Sequence, residues 1–168
     1  MTNMSLTTPT LHTARLLLRP FTEADTDAIY ALGSNPTVLR YWDAPPWSER
    51  AQADRFITNC KKMAEEGRGV RLAIERSADG EFIGWCSLMN WDPDFRSAMI
   101  GYCFAEAAWG QGFATEAAGA VLQWAFDTLD LNRVESGADT RNRASERVLE
   151  KLGFVREGVR RESCIVNG

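Results

Sequence analysis

Between residues 70 and 104 the chain places one apolar, strand-like run after another with little between them. VRLAIE (70–75) and FIGWCSLMN (82–90) flank Asp79-Gly80, a dipeptide suited to the tight turn of a hairpin. SAMIGYCF (97–104) follows at once, and its shortage of polar side chains predicts a central strand. Strands joined this closely pair antiparallel with their neighbours, so a β-meander is the frame that the rest of the chain must fit.

The flanking segments read as helices and further strands. ARLLLRPF (14–21) predicts a strand ending at a proline. Thr22 and Asp25 form a capping box with Asp in place of the usual Glu. Ala24, Ala28, Ile29 and Leu32 then share one face of a helix that stops near Asn35-Pro36. Ser48 is expected to cap a second helix, with Ala53, Phe56, Ile57, Cys60, Met63 and Ala64 on one face and Gly67 at its end. A third helix runs to about Thr128, with Ala114, Ala117, Ala118, Val121, Leu122 and Ala125 inward. RVESGAD (133–139) predicts a strand, ASERVLEKLGF (144–154) a short helix with Gly153 at its stop, and the tail from Val155 one more strand. The fold class expected is mixed α/β, or α+β, with helices packed on the sheet.

The chain has 168 residues, enough for one domain (1–168) that buries its own core. Its 19 Lys and Arg against 23 Asp and Glu give a net charge of −4, which excludes a basic nucleic-acid binder. The stretch from Val155 to Glu162 is the one hint of a local basic patch. Cys60, Cys86, Cys103 and Cys164 form no CxxC pair, so neither a disulfide framework nor a metal site is expected. Free thiols fit a reducing cytoplasm. MTNMSLTTPTL lacks the basic start and apolar core of a signal peptide, and no apolar run is long enough to cross a membrane.

The chemistry centres on AAWGQGFATEAA (107–118). A strand, a glycine-rich turn and a helix start form a natural anion site. The first helical turn leaves N–H groups without partners, and glycines let a phosphate approach the backbone. Gly110, Gln111, Gly112, Phe113, Ala114 and Thr115 supply those amides. The same spacing also suits a plain loop-to-helix turn. Neither GxxxxGK[ST] nor GxGxxG is present, because Thr115 stands where a third glycine would be, so a P-loop enzyme or a Rossmann dehydrogenase is not expected.

LHTARLLLRPF (11–21), IGY (100–102), WGQGFATEA (109–117) and NRASERVLEKLGF (142–154), in that order, resemble the GNAT-superfamily N-acetyltransferases, in their RimJ/RimL-like branch of ribosomal-protein N-terminal acetyltransferases. The resemblance covers the chain from about Leu11 onward. It implies a mostly antiparallel sheet splayed between the strands at 97–104 and 133–139, the family's fourth and fifth, with helices on both faces. The cofactor implied is acetyl-coenzyme A. Its pyrophosphate would lie on the 110–115 amides, with Trp109 where the superfamily usually has Gln or Arg. Its pantetheine arm would lie in the splay near Cys103 and Phe104, where a backbone N–H would meet the thioester carbonyl. Asn142 would contact the pantetheine, and Ser145 would lie near the sulfur and protonate the departing thiolate. Both residue types also favour a helix N-terminus.

The reaction implied is direct attack of a primary amine on the thioester. A protein or peptide N-terminus, with a pKa of about 7.7–8.0, needs only a modest base, whereas lysine near 10.4 needs a stronger one. Asp92 is either an acid facing the acceptor or simply the turn residue of Asp92-Pro93-Asp94. Glu75 points to the cleft or to solvent, Glu116 belongs to a helix first turn, and His12 reads as structural. Cys103 is a packed strand residue, although its position also admits a ping-pong nucleophile. Tyr41, Trp42 and Trp47, in YWDAPPW, are expected to wall the acceptor site or to cover the core. A small-molecule amine and an inactive acyl-CoA-binding module are the alternatives. Asn167-Gly168 reads as a hairpin turn without its returning strand, so the last strand of the family is expected to be missing, with a homodimer as one way to cover the edge.

Overall fold

A computed structural model describes residues 4–166 and Gly168. The meander forms as the alternating apolar runs require. β3 (Gly69–Arg76), β4 (Glu81–Asp92) and β5 (Ser97–Phe104) pair antiparallel in sequence order. β1 (Leu11–His12) and β2 (Leu16–Pro20) extend the sheet on the β3 side, and β6 (Arg133–Glu135) lies beyond β5. Gly80 takes the left-handed backbone that the Asp79-Gly80 turn needs, at φ 70°.

The β5–β6 contact is parallel and short. Ser97, Ala98 and Met99 face Arg133, Val134 and Glu135, and the ladder then ends. One side-chain bond, from Ser136 Oγ to the Ile100 carbonyl at 3.0 Å, follows. From Gly101 to Phe104 the outer edge of β5 has no strand beside it among the described residues, so the sheet is splayed there.

Helices cover both faces. α1 (Thr26–Gly33) and α2 (Ala51–Glu65) lie on one, where Ile29, Leu32, Val38, Ala53, Trp85 and Cys103 make a buried cluster. α3 (Phe113–Leu129) lies on the other, over Leu16, Leu18, Leu72, Ile74, Leu88 and Ile100. Ala117, Ala118 and Ala125 have no exposed surface, so the small side chains let α3 settle close to the sheet. α4 (Arg143–Lys151) packs beside α3.

The Thr22–Asp25 box forms across a 3₁₀ turn that leads into α1. The Asp25 carboxylate accepts from the Thr22 N–H at 2.8 Å and takes a bidentate bond from Arg19 at 2.8 Å per oxygen. Arg19 also holds Glu75, so this partly exposed carboxylate is engaged in an ion pair.

Three sequence expectations need correction. Ser48 does not cap α2, which begins at Ala51; the Gln52 side chain reaches back instead and accepts from the Ser48 and Glu49 N–H groups. The strand at 133–139 is three residues long. The tail strand does not form among the described residues of 155–168. β6 is too short to template another strand, and Val155 and Ile165 are left more than four fifths exposed. The turn expected at Asn167-Gly168 involves Asn167, which lies outside the described residues.

Burial pushes the Asp25 carboxyl up, but its bonds to Arg19 and Thr22 outweigh this and hold it below the usual carboxylate range. A depressed folded-state pKa adds stability that is present above the unfolded value, about 3.9, and is lost as pH falls through the folded value. Asp25→Asn is expected to cost about 2–3 kcal/mol in urea unfolding at pH 7, with the gap to wild type narrowing in acid. A constant gap down to pH 2 would contradict this role.

Candidate active site

The glycine turn is built for an open backbone. Gly110 and Gly112 have φ of 71° and 80°, a region costly for residues with a Cβ. Nothing lies within 4 Å of a Cβ placed on Gly110. Among the described residues the N–H groups from Gly110 to Thr115 have no hydrogen-bond acceptor, and no side chain caps α3. These amides and the helix dipole make a cradle for an anion.

The turn is braced from beside. The Glu116 carboxylate accepts from Thr13 Oγ1 at 2.6 Å and from Arg15 N and Nε at 2.9 and 2.7 Å. Arg15 Nη1 donates to the Gln111 carbonyl at 3.0 Å, and its guanidinium lies over the Phe113 ring. Burial raises the Glu116 pKa, but these donors more than compensate and the net shift is downward. Glu116 is therefore an engaged carboxylate rather than a free base. Trp109 sends its indole N–H back to the Phe104 carbonyl at 2.8 Å, tying the turn to the end of β5.

At the splay, β5 alternates between two environments. Tyr102 points toward α4, where its hydroxyl lies 2.9 Å from Ser145 Oγ and also donates to the Ser145 carbonyl at 3.3 Å. Burial raises the phenol above its usual pKa, only partly offset by Ser145, so Tyr102 stays protonated at neutral pH. Asn142 caps α4, its Oδ1 accepting from the Ser145 N–H at 3.2 Å. This leaves its amide nitrogen free to donate. Capping therefore falls to Asn142, while the Ser145 hydroxyl turns to Tyr102.

Cys103 points to the opposite face. Burial pushes its thiol up to about 12, so it carries no thiolate and a ping-pong role is disfavoured. It walls a cavity of about 210 Å³ with Trp42, Trp47, Phe56, Arg71 and Trp85. Trp47 reaches this wall because Gly33 lacks a side chain; a Cβ there would stand 2.4 Å from the indole. Trp47 N also donates to the Gly33 carbonyl. Tyr41, expected alongside the two tryptophans, is not among the residues that line the cavity. The Arg40 and Arg141 guanidinia lie over its ring, 4.7 and 5.6 Å from the centroid, and Arg141 links the 41–47 loop to the turn before α4. Asp92 closes the β4–β5 turn, its Oδ1 accepting from the Asp94 and Phe95 N–H groups at 2.9 Å each. Exposed His12 lies in β1.

Tyr102 and Arg71 were not singled out from the sequence. Alternation along β5 puts Tyr102 with Ile100 on the α3 side, which is the signal that could have found it. Arg71 looks like an ordinary polar position of a half-buried strand.

The model of the acetyltransferase (GNAT) domain matches residues 15–155. The chain is a GNAT acetyltransferase. It is 38% identical over 160 residues to the uncharacterized N-acetyltransferase YoaA of Bacillus subtilis, covering 95% of this chain and 90% of that one. It is 27% identical over 161 residues to the Escherichia coli K12 spermidine N(1)-acetyltransferase, covering 95% and 82%. The structure of Mycobacterium smegmatis RimJ in complex with a CoA-disulfide superposes with a TM-score of 0.82 at 27% identity, covering 91% and 76%. The enzyme is an acetyl-coenzyme A-dependent N-acetyltransferase, and the splayed sheet is that of the family. The open cradle, its unpaired amides and the free β5 edge fit that cofactor.

Gly112→Val is expected to weaken acetyl-coenzyme A binding at least about tenfold by calorimetry and to cost about 1–2 kcal/mol of stability from the left-handed backbone alone. Unchanged affinity in a folded variant would remove the cradle from the site.

Proposed function

We propose that this enzyme acetylates a primary α-amine by direct attack, the acceptor being the N-terminus of a protein or peptide as in the RimJ/RimL-like branch. The observation that carries this reading is the Tyr102–Ser145 hydroxyl pair beside the unpaired edge of β5. Acetyl-coenzyme A supplies an acetyl group already activated as a thioester. The amides of Gly110 to Thr115, with Trp109 beside them, bind the pyrophosphate. The β5 edge at Cys103 and Phe104 and the Asn142 amide hold the pantetheine arm, and a backbone N–H of that edge donates to the thioester carbonyl. Ser145 Oγ, hydrogen-bonded to Tyr102, delivers a proton to the departing sulfur, and Tyr102 Oη replenishes it.

No strong base is required. An α-amine is partly neutral near pH 8, and one ordered water or a modest carboxylate suffices. Asp92 is the carboxylate proposed for the acceptor side, with its Oδ1 already committed to the turn and Oδ2 left to act. Trp42 and Trp47 form the acceptor wall, with Tyr41 at its margin. A small amine is the second reading, favoured by the compact cavity.

Turnover of acetyl-coenzyme A with a panel of N-terminal peptides and small amines tests this reading. Tyr102→Phe and Ser145→Ala are each expected to lower kcat about 100-fold. The double variant should be little worse than either, because the two hydroxyls act as one relay. A kcat within about twofold of wild type for both would remove the relay.

A further inference from the structure

The cavity beside Cys103 holds one feature that an acetyl-transfer site does not need. Arg71 enters it from β3, and among the described residues it is the only charged one in the lining. Its guanidinium lies over both Phe56 and Trp85, 4.7 and 4.8 Å from their centroids, in the notch of two rings that themselves meet at 6.1 Å and 50°. Cation–π attraction to two rings holds the guanidinium without using its N–H groups. Nε is buried and has no hydrogen-bond partner. The hydrogen bond that Nη2 makes is a weak one, to Met89 Sδ at 3.9 Å.

Among the described residues, no carboxylate forms an ion pair with Arg71. The contrast with other arginines is plain. Arg15 has Glu116, Arg19 has Asp25 and Glu75, and Arg76 has Asp79 and Glu81. The nearby Cys60 thiol does not neutralise Arg71. Burial raises the Cys60 pKa, and Arg71, through its charge and a side-chain hydrogen bond, offsets only part of the rise, so the sulfur stays a neutral thiol.

A second unpaired group stands next to it. Ser87 is the register partner of Arg71 across β3 and β4, so both side chains rise from the same face of the sheet. Ser87 Oγ is fully buried without a partner and lies behind the cavity lining, so a ligand reaches it only if Met89 moves. The next residue in the row is Gly101 on β5, at the start of the splayed edge. Met89 covers the row, with its methyl 3.2 Å from where a Gly101 Cβ would stand. Its unbranched side chain can swing aside.

A guanidinium with only sulfur partners and an unpartnered Nε, beside a hydroxyl with no partner, is costly in an aromatic pocket unless a ligand completes it. We propose that Arg71, with Ser87, binds an acid group of the acceptor, so that the acceptor is a primary amine with a carboxylate within one residue's span of it. Arg71 grips the carboxylate through its fixed fork, and Trp42, Trp47 and Trp85 surround the apolar body. The carboxylate comes from a free amino acid, or from the side chain of an acidic first residue of a peptide. A polyamine, carrying only positive charge, is repelled. This inference rests on the acetyltransferase reading above for the amine, but not for the acid-binding pocket.

Two measurements test it. In the first, wild-type enzyme and acetyl-coenzyme A are given L-phenylalanine or L-phenylalanine amide, an Asp-initiated or Asn-initiated tripeptide, and spermidine. At least one acid is expected to exceed its amide in kcat/KM by roughly 10- to 100-fold, mainly through KM, with spermidine poor. The pair that discriminates identifies the source of the carboxylate. Arg71→Gln should bring that pair within about threefold, Arg71→Lys should restore part of the gap, and Ser87→Ala should narrow it less. Acids no better than their amides, or spermidine as the best acceptor, would overturn the proposal. These wild-type comparisons do not depend on any variant folding.

The second measurement reads the pocket without turnover, by quenching of tryptophan fluorescence on titration with phenylacetate or 2-phenylethanol. Phenylacetate should bind more tightly, and Arg71→Gln should abolish the difference. If no amine is acetylated while acetyl-coenzyme A binds, the acetyl-transfer reading fails and this titration alone decides the acid site. Equal binding of the two probes to wild type would overturn it.

Discussion

β5 keeps a partner on its outer side for only three residues. Past Met99 the β6 ladder ends, and the backbone from Gly101 to Phe104 presents an edge inside the fold rather than at its margin. Peptide groups in that position need a partner, because unpaired backbone in a folded interior is costly. The rest of the architecture is arranged around this opening. Trp109 ties the glycine turn to the carbonyl at one end of the edge, and Ser136 bonds the Ile100 carbonyl at the other. Arg15 and Glu116 fix the turn so that the α3 amides stay uncovered. An extended ligand ending in an anion suits this constraint, and acetyl-coenzyme A is such a ligand.

Strand alternation then separates two tasks. Tyr102 leans toward α4 and meets Ser145, while Cys103 leans toward α1 and α2 and joins the aromatic wall. In the reading proposed here, proton delivery belongs to one face of β5 and acceptor recognition to the other, with the reacting carbonyl between them. A buried thiol held as a thiol at Cys103 is compatible with this division, since it packs without competing as a nucleophile.

Much of this was legible in the sequence because it rests on local rules. The Asp79-Gly80 turn, the capping box at Thr22, the alanine face of α3 and the left-handed glycines at 110 and 112 each follow from a few neighbouring residues. What was missed depends on distant partners. Ser48 has the right chemistry for a cap, but Gln52 does that work from inside the helix. The strand at 133–139 has the right pattern, yet β5 accompanies it only as far as Glu135. Tyr41 sits in sequence beside Trp42, but Arg141, a hundred residues on, draws it away from the cavity. Arg71 could not be picked out at all, because its meaning is the lack of a carboxylate around it, which only the folded chain reveals.

The account stands on the claim that the α3 amides and the free β5 edge are the binding surface for acetyl-coenzyme A. Amide hydrogen exchange, followed residue by residue as the cofactor is titrated, tests it directly. Protection should appear at Gly110 to Thr115 and along Gly101 to Phe104, with the C-terminal turns of α2, on the opposite face of the sheet from α3, unchanged. Saturable binding that leaves both segments exchanging as in the free enzyme would contradict the account.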